Sequence, residues 1–456
     1  MIKKVLIANR GEIAVRIIRT CKEMGIKTVA VYSTADKDSL HVQIADEAIC
    51  IGPAKANDSY LNMSNIIEAA CSVGADAVHP GFGFLSENPK FARLIIGCGL
   101  IFIGPNPDVI EKLGNKSEAR KMMIEAGVPV VPGSKEIIKS AEEGIKLAKE
   151  ISYPIIIKAS NGGGGRGMRI VQSEDEFEDN FNNAVSEAKA CFGDSDVYLE
   201  KYIENPKHIE IQLLGDKHGN VIHLFERDCS FQRRNQKLIE EAPCHVLDDK
   251  IRKSMIADAI KACRHVGYDS VGTIEFLLDK SGKYYFMEMN TRIQVEHPIS
   301  EMISGVDIVK HQIKVAGGQK LSLRQEDIKC NGYAMECRIN AEDMERDFAP
   351  SPGKIKFLHL PGGRGIRIDS AVYTGYEIPP YYDSMILKLI TFAPTRLECI
   401  KKMRVALEEL IIDGVKTNIE FHYLTLHNKT FIEGNYDTGF FDRFIKELEE
   451  QSGELI

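Results

Sequence analysis

Residues 155–171, IIIKASNGGGGRGMRIV, have the make-up of a loop that covers phosphates. A β-branched run delivers Lys158 into a stretch with glycines at 162, 163, 164, 165 and 167, and Met168 to Val171 begins a return strand. Backbone without Cβ atoms can approach a polyphosphate closely and aim several N–H groups at it, while Lys158 and Arg166 add charge on either side. The lysine precedes the glycines, so this is not the G-x-x-x-x-G-K-[ST] phosphate loop.

A second pattern lies in TIEFLLDKSGKYYFMEMNTRIQVEH, residues 273–297. A two-residue hairpin turn at Ser281-Gly282 places Glu275 directly opposite Glu288. Like charges facing each other in a sheet repel, and a divalent cation between them reconciles the pair. Asn290 supplies a third oxygen on the same face, and such a donor set suits Mg²⁺ or Mn²⁺. Glu288, Asn290, Arg292, Gln294 and Glu296 occupy every second position, so an extended chain lines all five along one wall that stops at His297-Pro298.

The segment ERDCSFQRRNQKLIEEAP, residues 226–243, gathers Arg227, Arg233, Arg234 and Lys237 with Gln232 and Gln236. Beside a phosphate loop and a metal site it is a candidate anion clamp. With Phe231 its only aromatic, it lacks the stacking platform that RNA binding uses. His79-Pro80-Gly81-Phe82-Gly83-Phe84 suits a turn at the carboxyl edge of an open sheet.

These residues need a scaffold of several units. The chain has 456 residues, enough for two to four domains at roughly 150 residues each. It opens as an α/β alternation: VLIAN, a helix from about Glu12 to Met24, KTVAVYS, then AVHPGFGF, FARLIIGCG and LIFIGP. The pattern changes near Pro105, Pro107 and Gly114 to an α+β segment whose first helix begins near Ser117. From residue 331 come β-rich runs, KIKFLHL, GIRIDSAVYTG and MILKLITFA, and a helix around Arg396 to Leu410. The expected divisions are 1–114, 115–330 with a lid at about 131–203, 331–446, and an acidic tail at 447–456 that frays.

A formal charge of −8 gives no global basic field for a nucleic acid or an anionic membrane. The eleven cysteines are scattered and form no C-x-x-C, which argues against a disulfide framework or a thiolate zinc site. With no signal peptide and no run of eighteen apolar residues, a soluble cytoplasmic protein is expected.

Eight stretches in order, IANRGEIAVRIIR, HPGFGFLSEN, KASNGGGGRGMRI, ERDCSFQRRNQKLIEEAP, EMNTRIQVEHPISEMISG, ECRINAED, PPYYDSMILKL and DGVKTNIEF, resemble the biotin carboxylases of the ATP-grasp superfamily. The resemblance implies an ATP-grasp architecture: a Rossmann-like parallel-sheet domain, a central ATP-grasp domain with a mobile glycine-rich lid, and a β-rich C-terminal domain. It implies a ligase that uses ATP to convert bicarbonate to carboxyphosphate and then carboxylates biotin, the first half-reaction of acetyl-CoA carboxylase in fatty acid synthesis. A split pyruvate or propionyl-CoA carboxylase is the alternative setting.

By this resemblance Lys116 and Lys158 contact ATP phosphates, Gly163, Gly164, Gly165 and Gly167 belong to the lid, and Glu200-Lys201-Tyr202-Ile203 forms the adenine hinge. His208, Gln232 and Asn235 complete the nucleotide site, and Glu275, Glu288 and Asn290 hold the metal. Lys237, Arg292, Gln294 and Val295 position bicarbonate, Glu296 removes its proton, and Arg338 stabilises the biotin enolate. Gly83 joins the bicarbonate and biotin set, and Asp383 orients the region. The family's HPGYGF has Phe82 here, which removes a hydroxyl. No Met-Lys-Met occurs, so biotin is expected on a separate carrier protein, with carboxyltransferase subunits beside it and a homodimer as the working form.

Overall fold

The computed structural model describes residues 2–134, 136–159, 168–192 and 195–453, so the glycine loop from Gly162 to Gly167, with Arg166, lies outside the described residues. The chain opens with β1 (Lys4–Ile7), α1 (Gly11–Glu23), β2 (Lys27–Ser33), β3 (Glu47–Gly52), α2 (Met63–Ser72), β4 (Ala77–His79), α3 (Pro89–Gly97) and β5 (Ile101–Phe102). Near-continuous apolar strands such as VLI and TVAV are buried on both faces, as a helix-covered parallel sheet requires. The strand order is β3-β2-β1-β4-β5, all parallel. The order reverses between β1 and β4, and the loops after these two strands meet there. Asn9 ties them, donating through Nδ2 to the carbonyls of Pro80 and Phe82, each at 2.7 Å. Gly81 sits at φ +63°, where a Cβ would come within 2.8 Å of that amide.

The next body begins with α4 (Lys116–Glu125), capped by Asn115, whose side chain accepts from the Ser117 and Glu118 amides. A three-stranded antiparallel sheet of β6 (Ile155–Ala159), β7 (Met168–Val171) and β8 (Val197–Lys201) packs Ile155, Ile157, Val171 and Leu199 with Phe177 of α5 (Phe177–Phe192).

The largest sheet contains β9 (Lys207–Gly215), β10 (Val221–Arg233), β11 (Gln236–Ala242), β12 (Val271–Leu278), β13 (Tyr284–Asn290), β14 (Tyr333–Asn340), β15 (Ile366–Ser370) and β16 (Met385–Ala393). Its order is β13-β12-β9-β10-β11-β14-β16-β15. Strands on either side of residue 330 thus share one sheet, joined where Ile239 pairs with Cys337 and Glu240 with Glu336. Arg234 and Asn235, at φ 49° and 64°, make the two-residue β10–β11 turn.

The last helix, α6 (Phe440–Gly453), continues through most of the segment expected to fray. Phe440, Phe441 and Phe444 at its start pack against Phe231 and Phe421, which anchors it. Among the described residues, no helix is long and apolar enough to cross a membrane.

Candidate active site

The three bodies enclose a cleft of about 1940 Å³. The first supplies Arg10, Gly11, Phe82, Gly83 and Glu87 among others, the second Lys116, Lys158, Glu200, Lys201, Tyr202 and Ile203, and the large sheet with the segments that follow its strands most of the rest. The candidates His208, Gln232, Asn235, Lys237, Glu275, Glu288, Asn290, Arg292, Gln294, Val295, Glu296, Arg338 and Asp383 also line it. Lys158 reaches across from β6 to pair with Glu200 on β8.

Glu275 and Glu288 do face each other, but not through the expected turn. The connection is the longer loop 279–283, closed by Asp279 N–H donating to Lys283 O at 2.8 Å, and a bulge after Glu275 returns the register to the Glu275–Glu288 pairing. Burial and the Glu275 charge push the Glu288 carboxyl up, with Lys116 offsetting this in part. Asn290 donates Nδ2–H to Glu275 Oε1 at 2.9 Å and accepts from Arg292 at 2.6 Å.

The extended wall ends sooner than its alternation predicts. β13 stops at Asn290, Val295 and Glu296 lie in a turn, and Glu296 is the residue before the helix His297–Ser304. His297-Pro298 therefore opens a helix, with proline in its first turn where no N–H is missed, rather than stopping a strand. The turn still presents Gln294, Val295 and Glu296 to the cleft.

At the centre is a buried charge cluster. Lys237 Nζ lies 2.6 Å from Glu210 Oε2, 3.0 Å from Glu275 Oε1 and 2.5 Å from Glu296 Oε1. Burial opposes the Lys237 charge, but these three carboxylates raise its pKa well above the ordinary lysine value. Burial alone would push Glu296 up, yet Lys237 first, then Arg338 and Arg227, hold it below the ordinary range. Glu275 is held down in the same way by Lys237 and His208, whose Nε2 lies 2.9 Å from Glu275 Oε2. His208 Nδ1 meets Gln232 Nε2 at 2.6 Å. Arg338 donates Nε–H to Glu240 at 2.6 Å and reaches Glu296 Oε2 at 3.0 Å. Arg292 donates Nε–H to Glu87 at 2.9 Å.

The expected anion clamp contracts to Lys237. Arg227 is fully buried beneath the cleft, donating to Glu210 at 2.5 Å, Gln212 at 2.6 Å and Ser300 at 2.8 Å. Arg233 and Arg234 turn outward to Asp347, at 2.9 and 2.7 Å. Glu210, Glu240 and Glu87 were not anticipated. Glu210 had a signal: in KHIEIQLLG the polar His208, Glu210 and Gln212 alternate with Ile209, Ile211 and Leu213, which marks one polar face on a central strand.

A buried base flanked by cations, beside facing carboxylates and lysines, can deprotonate a small acid next to a bound nucleotide. Residues 1–110 match the biotin carboxylase N-terminal domain, residues 115–324 the ATP-binding domain of the carbamoyl-phosphate synthase L chain, and residues 336–443 the biotin carboxylase C-terminal domain. Biotin carboxylase 1 of Bacillus subtilis is 56% identical over 445 residues, 97% of this chain and 99% of that one. The crystal structure of a Campylobacter jejuni biotin carboxylase complex superposes with a TM-score of 0.93 at 53% identity, covering 97% and 99% of the two chains. The biotin carboxylase domain dimer of Hydrogenobacter thermophilus 2-oxoglutarate carboxylase, solved with MgADP, ADP and bicarbonate, gives 0.91 at 54% identity over 97% and 98%. Matched along nearly its whole length by these domains and relatives, the chain belongs to the biotin carboxylase family of ATP-grasp ligases.

Proposed function

We propose that the chain carboxylates biotin borne on a separate carrier protein, using ATP and bicarbonate. The observation that carries this is Glu296, an acid kept ionised by Lys237 on one oxygen and Arg338 on the other, in the same cleft as the Glu275–Glu288 pair. Glu296 accepts the bicarbonate proton, which frees an oxygen to attack the γ-phosphoryl group of ATP. Lys237, Arg292, Gln294 and Val295 position the anion, and Lys116 and Lys158 meet the nucleotide phosphates. Glu200-Lys201-Tyr202-Ile203 receive the adenine, with His208, Gln232 and Asn235 nearby. Carboxyphosphate yields CO₂ and phosphate, and the phosphate takes the ureido proton of biotin. Arg338 then faces the enolate charge that develops, while Gly83 leaves room for the ring.

Glu275, Glu288 and the amide oxygen of Asn290 are hard oxygen donors, and burial together with the facing Glu275 charge raises the Glu288 carboxyl, a shift that a cation between the two would oppose. They fit Mg²⁺ or Mn²⁺, which when bound would neutralise charge on the transferring phosphates. The Hydrogenobacter domain, solved with MgADP and bicarbonate, supports both assignments.

We place the chain in the cytoplasm as a homodimer that serves a biotin carboxyl carrier protein and carboxyltransferase subunits. Acetyl-CoA carboxylase, and hence fatty acid synthesis, is the preferred setting. A keto-acid carboxylase is the second reading, favoured by the 2-oxoglutarate carboxylase relative at 54% identity. The test is ADP release by the purified chain with and without biotin and bicarbonate. Release that requires both is expected, and an ATPase indifferent to them would end the proposal. Reconstitution with candidate carriers and transferases then reports the acceptor.

A further inference from the structure

Lys388 stands in the middle of MILKLITFA, an otherwise apolar strand, and is fully buried without lining the cleft. Register explains where it goes. Arg338 on β14, Lys388 on β16 and Asp369 on β15 are successive cross-strand partners, so their side chains leave the same face of the sheet. Arg338 meets the Glu296 carboxylate, and Lys388 passes behind it to donate to the backbone carbonyl of Val295 at 2.8 Å. Glu12 of α1 lies 3.1 Å from the same ammonium group and Asp369 3.8 Å, which pays its buried charge.

The neighbouring carbonyl is held as well. His297 Nδ1 lies 2.8 Å from Gln294 O. Burial, then the charges of Lys388, Arg16 and Arg367, keep the His297 ring neutral, so the proton on Nδ1 is donated to the carbonyl. Both peptides are trans, and in a trans peptide the N–H points opposite to the C=O. Two carbonyls drawn to the core therefore turn the N–H groups of Val295 and Glu296 the other way. Neither N–H is spent on an acceptor among the described residues.

We propose that Lys388 and His297 are the positioning pair of the bicarbonate clamp, fixing the peptide planes on either side of Val295 so that two backbone N–H groups face the anion beside Glu296. The inference rests on the biotin carboxylase reading above and adds the residues that hold its anion site from behind.

Three variants of the full chain test it: Lys388→Met, the double variant Lys388→Met/Glu12→Gln, which removes the Glu12 charge as well while Asp369 keeps Arg367, and the uncharged His297→Ala. Each folded variant should raise the KM for bicarbonate about tenfold or more and lower kcat, with the KM for ATP within about twofold of wild type. Lys388→Arg, which restores a donor, should recover part of the loss. An unchanged bicarbonate KM in the folded double variant or in His297→Ala overturns the proposal, as does a parallel loss of ATP and bicarbonate binding. Wild-type enzyme without bicarbonate-dependent biotin carboxylation would instead bring down the underlying function, and so is told apart from a failure of the clamp alone.

Discussion

Lys237 Nζ stands 2.5 Å from Glu296 Oε1, with both groups almost wholly removed from solvent. An acid held below its ordinary range by Lys237 and Arg338 is ionised at neutral pH and ready to accept a proton from a molecule that enters the cleft beside it. Glu296→Gln keeps the shape and the Arg338 contact while removing the base. Carboxylation should fall by ~10²-fold or more, the usual size for a lost general base, with ATP affinity nearly unchanged. Comparison of kcat with the ATP dissociation constant decides it, and an equal loss in nucleotide binding would remove Glu296 from this role.

Lys237 also holds three carboxylates together. Lys237→Gln leaves Glu210, Glu275 and Glu296 facing each other in a dry site, and breaking a buried pair on one side costs about 3–5 kcal/mol. The thermal midpoint should drop, and the bicarbonate KM should rise. Unchanged bicarbonate dependence in variant that remains folded would exclude Lys237 from the clamp.

Much of this site was legible in the chain because its residues lie in short continuous segments. The Glu275–Glu288 pairing followed from period and turn, yet the turn itself was misjudged, and the bulge that restores the register has no sequence mark. The alternation puts Glu296 at the cleft but on a strand, whereas it caps a helix, since a pattern over RIQVE cannot show where a strand ends and a helix cap begins. Arg227 and Lys388 were least accessible to sequence: a basic residue reads as solvated until tertiary packing encloses it with partners distant in the chain. The continuity of the large sheet past residue 330 is equally non-local, as it depends on β11 meeting β14.

The buried carboxyls give the stability a defined pH dependence. Despite burial, Arg227 and Lys237 hold Glu210 down to about 2 from an ordinary 4.5, so its contribution is present above 4.5 and is lost as pH falls towards 2. Glu240 runs the opposite way. Burial, opposed by Arg338 and reinforced by Glu296, lifts it to about 7, so the folded state keeps a proton that the unfolded chain sheds. That costs stability as pH rises from 4.5 to 7. The buried neutral histidines, His41, His79 and His422 among them, gain stability over the same range, so the contribution of Glu240 is read as a difference: with rising pH the denaturation midpoint should gain less, or lose more, in the wild type than in Glu240→Gln. Identical slopes in the two proteins would mean that Glu240 does not titrate there.

The facing carboxylates make a prediction in which stability and function move in opposite directions. Without a cation, Glu288 is pushed up by burial and by Glu275, so the pair is a repulsive element of the sheet. Glu288→Gln removes that repulsion, and the metal-free variant should melt no lower than wild type. The same change deletes a hard anionic donor, so the Mg²⁺ concentration for half-maximal ATP turnover should rise about 10- to 100-fold. A chelator should abolish wild-type turnover and Mg²⁺ should restore it. A purely structural Glu288 would lower the melting temperature and leave the Mg²⁺ requirement where it was, so the two measurements on one variant separate a ligand from a packing residue.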